Sequence, residues 1–129
     1  MPSRSPLDIV MAIIGTALIG SGLYGVISPA NMARAFGVVN VTREMAVFYP
    51  GIGGRNLSLG LAVWWLTLAG GMRQRQYRWA MGVFLTCWMC TGLADTYLLL
   101  IHYEEVDTVW LHVFNTCVLA VLSPVLLRS

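Results

Sequence analysis

The sequence contains no lysine, and charged side chains make up only 11% of its 129 residues. A soluble domain carries about 25% charge. Too little polar surface is present here to cover a compact body in water. The eight basic residues are all arginine, the net charge is +2, and no long basic run occurs. A nucleic-acid-binding stripe is therefore excluded. Cysteine is sparse as well. Cys87, Cys90 and Cys117 lie in apolar segments, so a disulfide framework is not expected. The C-x-x-C of Cys87 and Cys90 is expected to supply small core residues, with a redox pair as the alternative. Motifs for phosphates, dinucleotides and haem are missing, as are repeats and low-complexity tracts. His102 and His112 stand apart without a paired H-x-x-E pattern, so no metal and no cofactor is expected.

What the chain has is apolar length. Hydrophobic residues make up 57% of it and the mean hydropathy is +0.70. Runs of roughly 20 apolar residues cross a bilayer as helices, and four such runs are expected, over about 7–27, 45–69, 77–102 and 108–127. The reading is all-α: an integral membrane four-helix bundle forming one domain over 1–129. The first run is long and lacks a cleavage-site pattern, so it is expected to be a retained span rather than a signal peptide. Ser5-Pro6 opens it, with Asp8 near the positive end of the helix dipole. Ala17, Ser21 and Gly25 form a small-residue face suited to close helix approach. Residues 30–36 are expected to form a short interfacial helix closed by Gly37. Asn40 or Thr42 is expected to cap the second span, and Asp107 or Thr108 the fourth. Pro50, Gly51, Gly53 and Gly54 are expected to distort the second span and open a cavity beside Arg55.

Four spans put both termini on one side. That side holds Arg4, Arg73, Arg75, Arg78 and Arg128; the other holds Arg34, Arg43 and most of the acids. The positive-inside rule then places both termini in the cytosol, with the endoplasmic reticulum the expected membrane.

An arginine and an aspartate lie within these apolar runs, where each costs about 2.5–3.5 kcal/mol on insertion scales. Arg55 is expected roughly 15 Å from the lumenal start of span two, and Asp95 roughly 10 Å from the lumenal end of span three. His102 shares a helix face with Asp95. His112 and Asn115 begin span four, Tyr24 ends span one, and Tyr49 and Asn56 flank the glycine stretch. Glu44 lies three turns before Arg55. Trp88 is central enough to wall a pocket. Trp64, Trp65, Trp79 and Trp110 are expected as interfacial or lipid-facing anchors. Polar groups thus gather in the lumenal half, while the cytosolic half is almost wholly apolar. The plainer alternatives are a structural Arg55–Asp95 pair, a His102 snorkelling to the interface, and an interhelical hydrogen bond from His112 or Asn115.

The stretch Tyr49-Pro-Gly-Ile-Gly-Gly-Arg-Asn-Leu-Ser-Leu-Gly-Leu resembles the Y-G-A-R-D-L-A-L-G-L hallmark of the DUF4267 family of small four-span membrane proteins. Gly92-Leu-Ala-Asp-Thr-Tyr and the histidine early in the last span resemble that family's G-D-A and H-G regions. The chain departs from the pattern at Asn56, where the family commonly has aspartate, so a second acid beside Arg55 is missing. In size and hydropathy the chain is also similar to small membrane epoxide hydrolases of fungal polyketide pathways of the aurovertin and citreoviridin type. That resemblance implies opening of an epoxide on a lipophilic polyketide or terpenoid.

Epoxide opening needs a proton for the departing oxygen and activation of the attacking water or hydroxyl. Asp95 fits the base if it contacts Arg55, because a nearby cation favours a carboxylate. His102 or His112 then fits the acid, and Tyr24 or Tyr49 could orient the oxygen. The same groups would serve a cofactor-independent isomerase or cyclase. A non-catalytic membrane partner of a biosynthetic enzyme is the reading from a different class. The expected partners are a lipophilic substrate, the bilayer and a second copy forming a homodimer, with no nucleic acid.

Overall fold

The computed structural model describes residues 5–69, 74–102 and 106–128, the side chains of residues 102, 106 and 107 excepted. It is all helical: α1 (Pro6–Ile27), α2 (Pro29–Ala35), α3 (Arg43–Ala46), α4 (Tyr49–Ala69), α5 (Arg75–His102) and α6 (Val106–Arg128). Ser5 caps α1 through a reciprocal box. Its hydroxyl accepts from the Leu7 amide at 3.3 Å, while its own amide donates to Asp8 Oδ2 at 2.8 Å. Thr42 caps α3, accepting from the Met45 amide. Asp107 and Thr108 lie inside the first turn of α6 rather than before it. Arg4, Arg73, Glu104 and Glu105, which enter the orientation argument, lie outside the described residues.

The run expected to start the second span at residue 45 is divided. The chain breaks at Val47 and Phe48, and α4 begins at Tyr49. Pro50 therefore occupies the first turn of a helix, where its missing N–H costs nothing. Gly51, Gly53 and Gly54 continue as regular helix, so the expected distortion before Arg55 does not occur.

Four long helices assemble as two antiparallel pairs, α1 with α4 and α5 with α6. The buried positions of α1 are Asp8, Met11, Gly15, Leu18, Gly22 and Gly25. Those of α4 are Gly53, Asn56, Gly60 and Val63. Both sets alternate three and four residues apart, the spacing that keeps one seam facing a partner helix. Glycine sets the separation. A Cβ on Gly60 would stand 2.8 Å from the Gly15 carbonyl oxygen, and one on Gly22 would stand 2.8 Å from that of Gly53. The seam therefore runs through Gly15, Gly22 and Gly25. Of the other two residues expected on it, Ser21 sits at its edge, where it meets Asn56, and Ala17 is exposed off it, because a four-residue repeat drifts off a seven-residue seam. Trp64 is drawn into this seam, its indole N–H donating to Thr16 Oγ1 at 3.2 Å, whereas Trp65, Trp79 and Trp110 are exposed as expected.

On α6, buried Val109, His112, Thr116, Leu119, Ser123 and Leu126 show the same spacing against α5. The two pairs meet through a small apolar core containing Met11, Leu18, Val63, Met81, Leu85, Leu119 and Leu126. It fills the half of the bundle nearer the start of α1 and the end of α6. In the other half the pairs stand apart. There α2 spans the gap, and Gly37, with φ +91°, turns the chain against Leu99 and Thr108.

Large apolar side chains cover the outside: Trp65 is 75% exposed, Phe48 73% and Val121 65%. So many large exposed apolar side chains are rare on a soluble protein and are consistent with an integral membrane chain. Among the described residues, α1, 75–101 of α5 and 108–128 of α6 are long and apolar enough to cross a bilayer. The 21-residue α4 has the length, but Arg55, Asn56 and its glycines dilute its hydropathy. All three cysteines are exposed. The core role expected for Cys87 and Cys90 is thereby corrected; they lie on outward helix faces.

Candidate functional site

The gap between the helix pairs is a cavity of about 440 Å³. It is lined mainly by apolar groups, and its polar groups come from α1 (Ser21, Tyr24), α4 (Arg55, Asn56), α5 (Asp95) and α6 (His112, Asn115, Thr116). Close packing within each pair positions them. Gly53 lets α4 ride against Gly22 and Gly25, and Asn56, one turn on, then meets Ser21. The Asn56 amide donates to Ser21 Oγ at 3.2 Å, and Ser21 donates to the Leu18 carbonyl at 3.0 Å. Asn56 Oδ1 accepts from Arg55 Nε at 3.4 Å. The neutral amide therefore anchors the guanidinium from behind.

Across the gap, α5 and α6 approach closely at Gly92, where a side chain would collide with the Thr116 hydroxyl. Asp95 lies one turn beyond Gly92, and His112 one turn before Thr116 on the antiparallel neighbour. The crossing thus brings Asp95 and His112 to the same level of the cavity, close enough for each to feel the other's charge. Arg55 Nη2 reaches Asp95 Oδ2 at 3.8 Å, with side chains 37% and 21% exposed. This ion pair is a polar bridge between the two helix pairs. Its separation is about 1 Å longer than a charge-assisted hydrogen bond, so Arg55 does not use up the carboxylate's capacity to accept. Thr116 Oγ1 donates to the His112 carbonyl at 2.8 Å. The His112 ring packs on Phe36, with ring centroids 4.8 Å apart.

Seven of the ten residues singled out from sequence line the cavity: Tyr24, Arg55, Asn56, Trp88, Asp95, His112 and Asn115. Tyr49 stands one layer behind, edge-on to Phe36 at 6.0 Å. Glu44 is exposed on α3 and is not part of the cavity wall. It was aligned with Arg55 by assuming one continuous helix, and the break at Val47 and Phe48 removes that alignment. His102 closes α5, and its side chain lies outside the described residues.

Sequence reasoning missed Ser21, Thr116 and the α2 residues Met32 and Ala35 together with the adjoining Phe36. Ser21 is one turn before Tyr24 and Thr116 one turn after His112, so helical spacing was a usable signal for both. Nothing in the local sequence places Phe36 against His112; only the path of α2 across the gap does. The site residues Arg55, Asp95 and His112 come together within a single chain. Among the described residues, no group of three or more His, Cys, Asp or Glu side chains is arranged to hold a metal ion.

The chain belongs to the DUF4267 family, described as a domain of unknown function, whose family model matches residues 15–126. No curated protein and no solved structure matches it.

Proposed function

We propose that this member of the DUF4267 family is a membrane-embedded enzyme that opens an epoxide on a lipophilic polyketide or terpenoid. The observation that carries this reading is the Arg55–Asp95 pair, 3.8 Å apart in the wall of a mostly apolar cavity. An ion pair that merely joined α4 to α5 would gain most from short, fully satisfied contacts. This one is loose, borders a void, and has an imidazole beside it. Four spans are part of the proposal, because α4 packs antiparallel along α1 and shares its seam. The arginine distribution supports cytosolic termini, and an endoplasmic reticulum membrane is part of the proposal.

In the proposed reaction Asp95, beside Arg55, acts as the base and takes a proton from water or from a hydroxyl of the substrate. The freed oxygen attacks an epoxide carbon, and the carbon–oxygen bond of the ring breaks. His112 gives a proton to the departing oxygen, and the proton on Asp95 later restores His112. Tyr24 and Asn115 orient the oxygen. Water as nucleophile yields a diol; an internal hydroxyl yields a cyclic ether. The resemblance to fungal membrane epoxide hydrolases points the same way. The supporting principle is that paired acid and base groups in a dry site contribute typically 10²–10⁴-fold each by proton transfer.

The test is conversion of epoxidised lipophilic polyketides and terpenoids by the purified chain in liposomes, without added cofactor. Heavy-oxygen water labels the product of a hydrolase and not that of an internal cyclase. A broad epoxide panel left untouched, with the chain raising the activity of a co-purifying biosynthetic enzyme, would replace this reading with that of a non-catalytic partner.

A further inference from the structure

The cavity is unevenly built along its length and around its rim. Its end nearest the apolar core is walled by Ile14, Leu18, Trp88 and Leu119, and its other end by Arg55, Asp95 and His112. The rim is equally one-sided. Lining residues from α4 and α5 are half-buried or buried, whereas Ala17 and Tyr24 of α1 and Leu111 and Asn115 of α6 are exposed. Among the described residues, α1 and α6 both line the cavity and share no extended close backbone packing. The slit between them extends from Ala17 to Tyr24, about 10 Å at 1.5 Å per residue.

We infer that this slit is a side entrance from the bilayer and that the occupant is a single-headed amphiphile, its oxygenated end at Arg55 and Asp95 and its hydrocarbon tail towards Ile14 and Leu119. Two physical facts fix the orientation. A polar head at the apolar end would lose its hydrogen bonds without replacement. A tail at the other end would cover the Arg55–Asp95 pair with hydrocarbon. The inference rests on the proposed function for the head group and specifies it: the epoxide lies near one end of the molecule, not in the middle of a long chain. Ala17 then acts as a gate residue, because its small side chain leaves the slit open at the depth where the tail passes.

Photolabelling in liposomes tests this without requiring turnover. Two probes are terminal epoxides of a long alkane, one with a diazirine at the far end of the tail and one with it next to the epoxide. The tail probe is expected to label Ile14, Val118 or Leu119, and the head probe Asn115 or Phe36. Ala17→Trp, which fills the slit, should lower labelling by about tenfold, the factor that corresponds to about 1.4 kcal/mol of binding. Leu23→Trp, on an exposed face of α1 away from the cavity, should leave it unchanged. Leu111→Trp, from the exposed opposite lip, repeats the block should Ala17→Trp fail to fold. Reversed labelling, or labelling indifferent to both blocking variants, overturns the inference. Labelling as expected without any epoxide opening keeps the amphiphile site and removes the reaction. Turnover with the reversed pattern does the opposite.

Discussion

A methyl group at Gly53 would stand 2.7 Å from the Gly22 carbonyl oxygen, 2.9 Å from the Val26 nitrogen and 3.0 Å from the Gly25 carbonyl carbon. All three are backbone atoms and cannot rotate away. Ordinary contact begins at 3.4 Å, so α1 and α4 must part by about 0.7 Å, the difference between 3.4 and 2.7 Å. The Asn56–Ser21 hydrogen bond, already 3.2 Å long, lies one turn along the same seam and would pass out of range. Overpacking costs about 1–3 kcal/mol, and the lost hydrogen bond about 0.5–1.5 kcal/mol. Alanine's better helix propensity offsets about 0.8–1.0 kcal/mol. Gly53→Ala should therefore destabilise the chain by roughly 2 kcal/mol. The neighbouring Gly54 has nothing within 4 Å of its would-be Cβ, so Gly54→Ala should be neutral or stabilising by up to about 1 kcal/mol. Reversible unfolding in mixed micelles, followed by tryptophan fluorescence, compares the two. Equal stability of Gly53→Ala and Gly54→Ala would refute the close crossing and with it the positioning of Asn56.

Other outcomes follow from the same geometry. His112→Ala and His102→Ala should reduce epoxide turnover unequally, with His112 the greater loss by about 10²-fold or more; equal rates would take His112 out of the proton path. Removing one charge with Arg55→Met should destabilise, by less than the about 3–5 kcal/mol of a fully buried pair because both side chains keep some exposure, whereas Arg55→Met with Asp95→Leu should recover most of that. Denaturant titration of the two variants decides it, and no recovery in the double variant would contradict the pairing. A glycosylation acceptor placed between Glu105 and Asp107 should be modified in microsomes; modification only of a tagged C-terminus would reverse the orientation.

Most of the architecture was legible because apolar length is a strong signal. Three of the four expected runs appear as helices with bounds shifted by two residues or fewer. The second run was misread at its start. Hydropathy sees the apolar stretch from Met45 through Phe48 as continuous, whereas the backbone turns there, and Pro50 sits most easily in the first turn of a new helix. The error carried Glu44 into the site and turned three glycines into a supposed kink. Their packing role at Gly53 depends on a seven-residue seam shared with α1, which shows only when both helices are aligned. The polar cluster itself was readable, because Arg55, Asp95, His112 and Asn115 stand out in apolar surroundings. Phe36 was not, because it reaches the cavity through the fold of α2 over the gap and not through any spacing in the chain.

The measurement that bears most directly on the central claim is epoxide turnover by Asp95→Asn in liposomes, with unfolding of the same sample followed in parallel. Asparagine keeps the shape of the side chain and removes the base. Asp95→Asn is expected to be a folded protein that still takes up the lipophilic photoprobe and forms no diol or cyclic ether above background. Product formation at the wild-type rate by folded Asp95→Asn would contradict it and leave the Arg55–Asp95 pair a structural tie between two helix pairs.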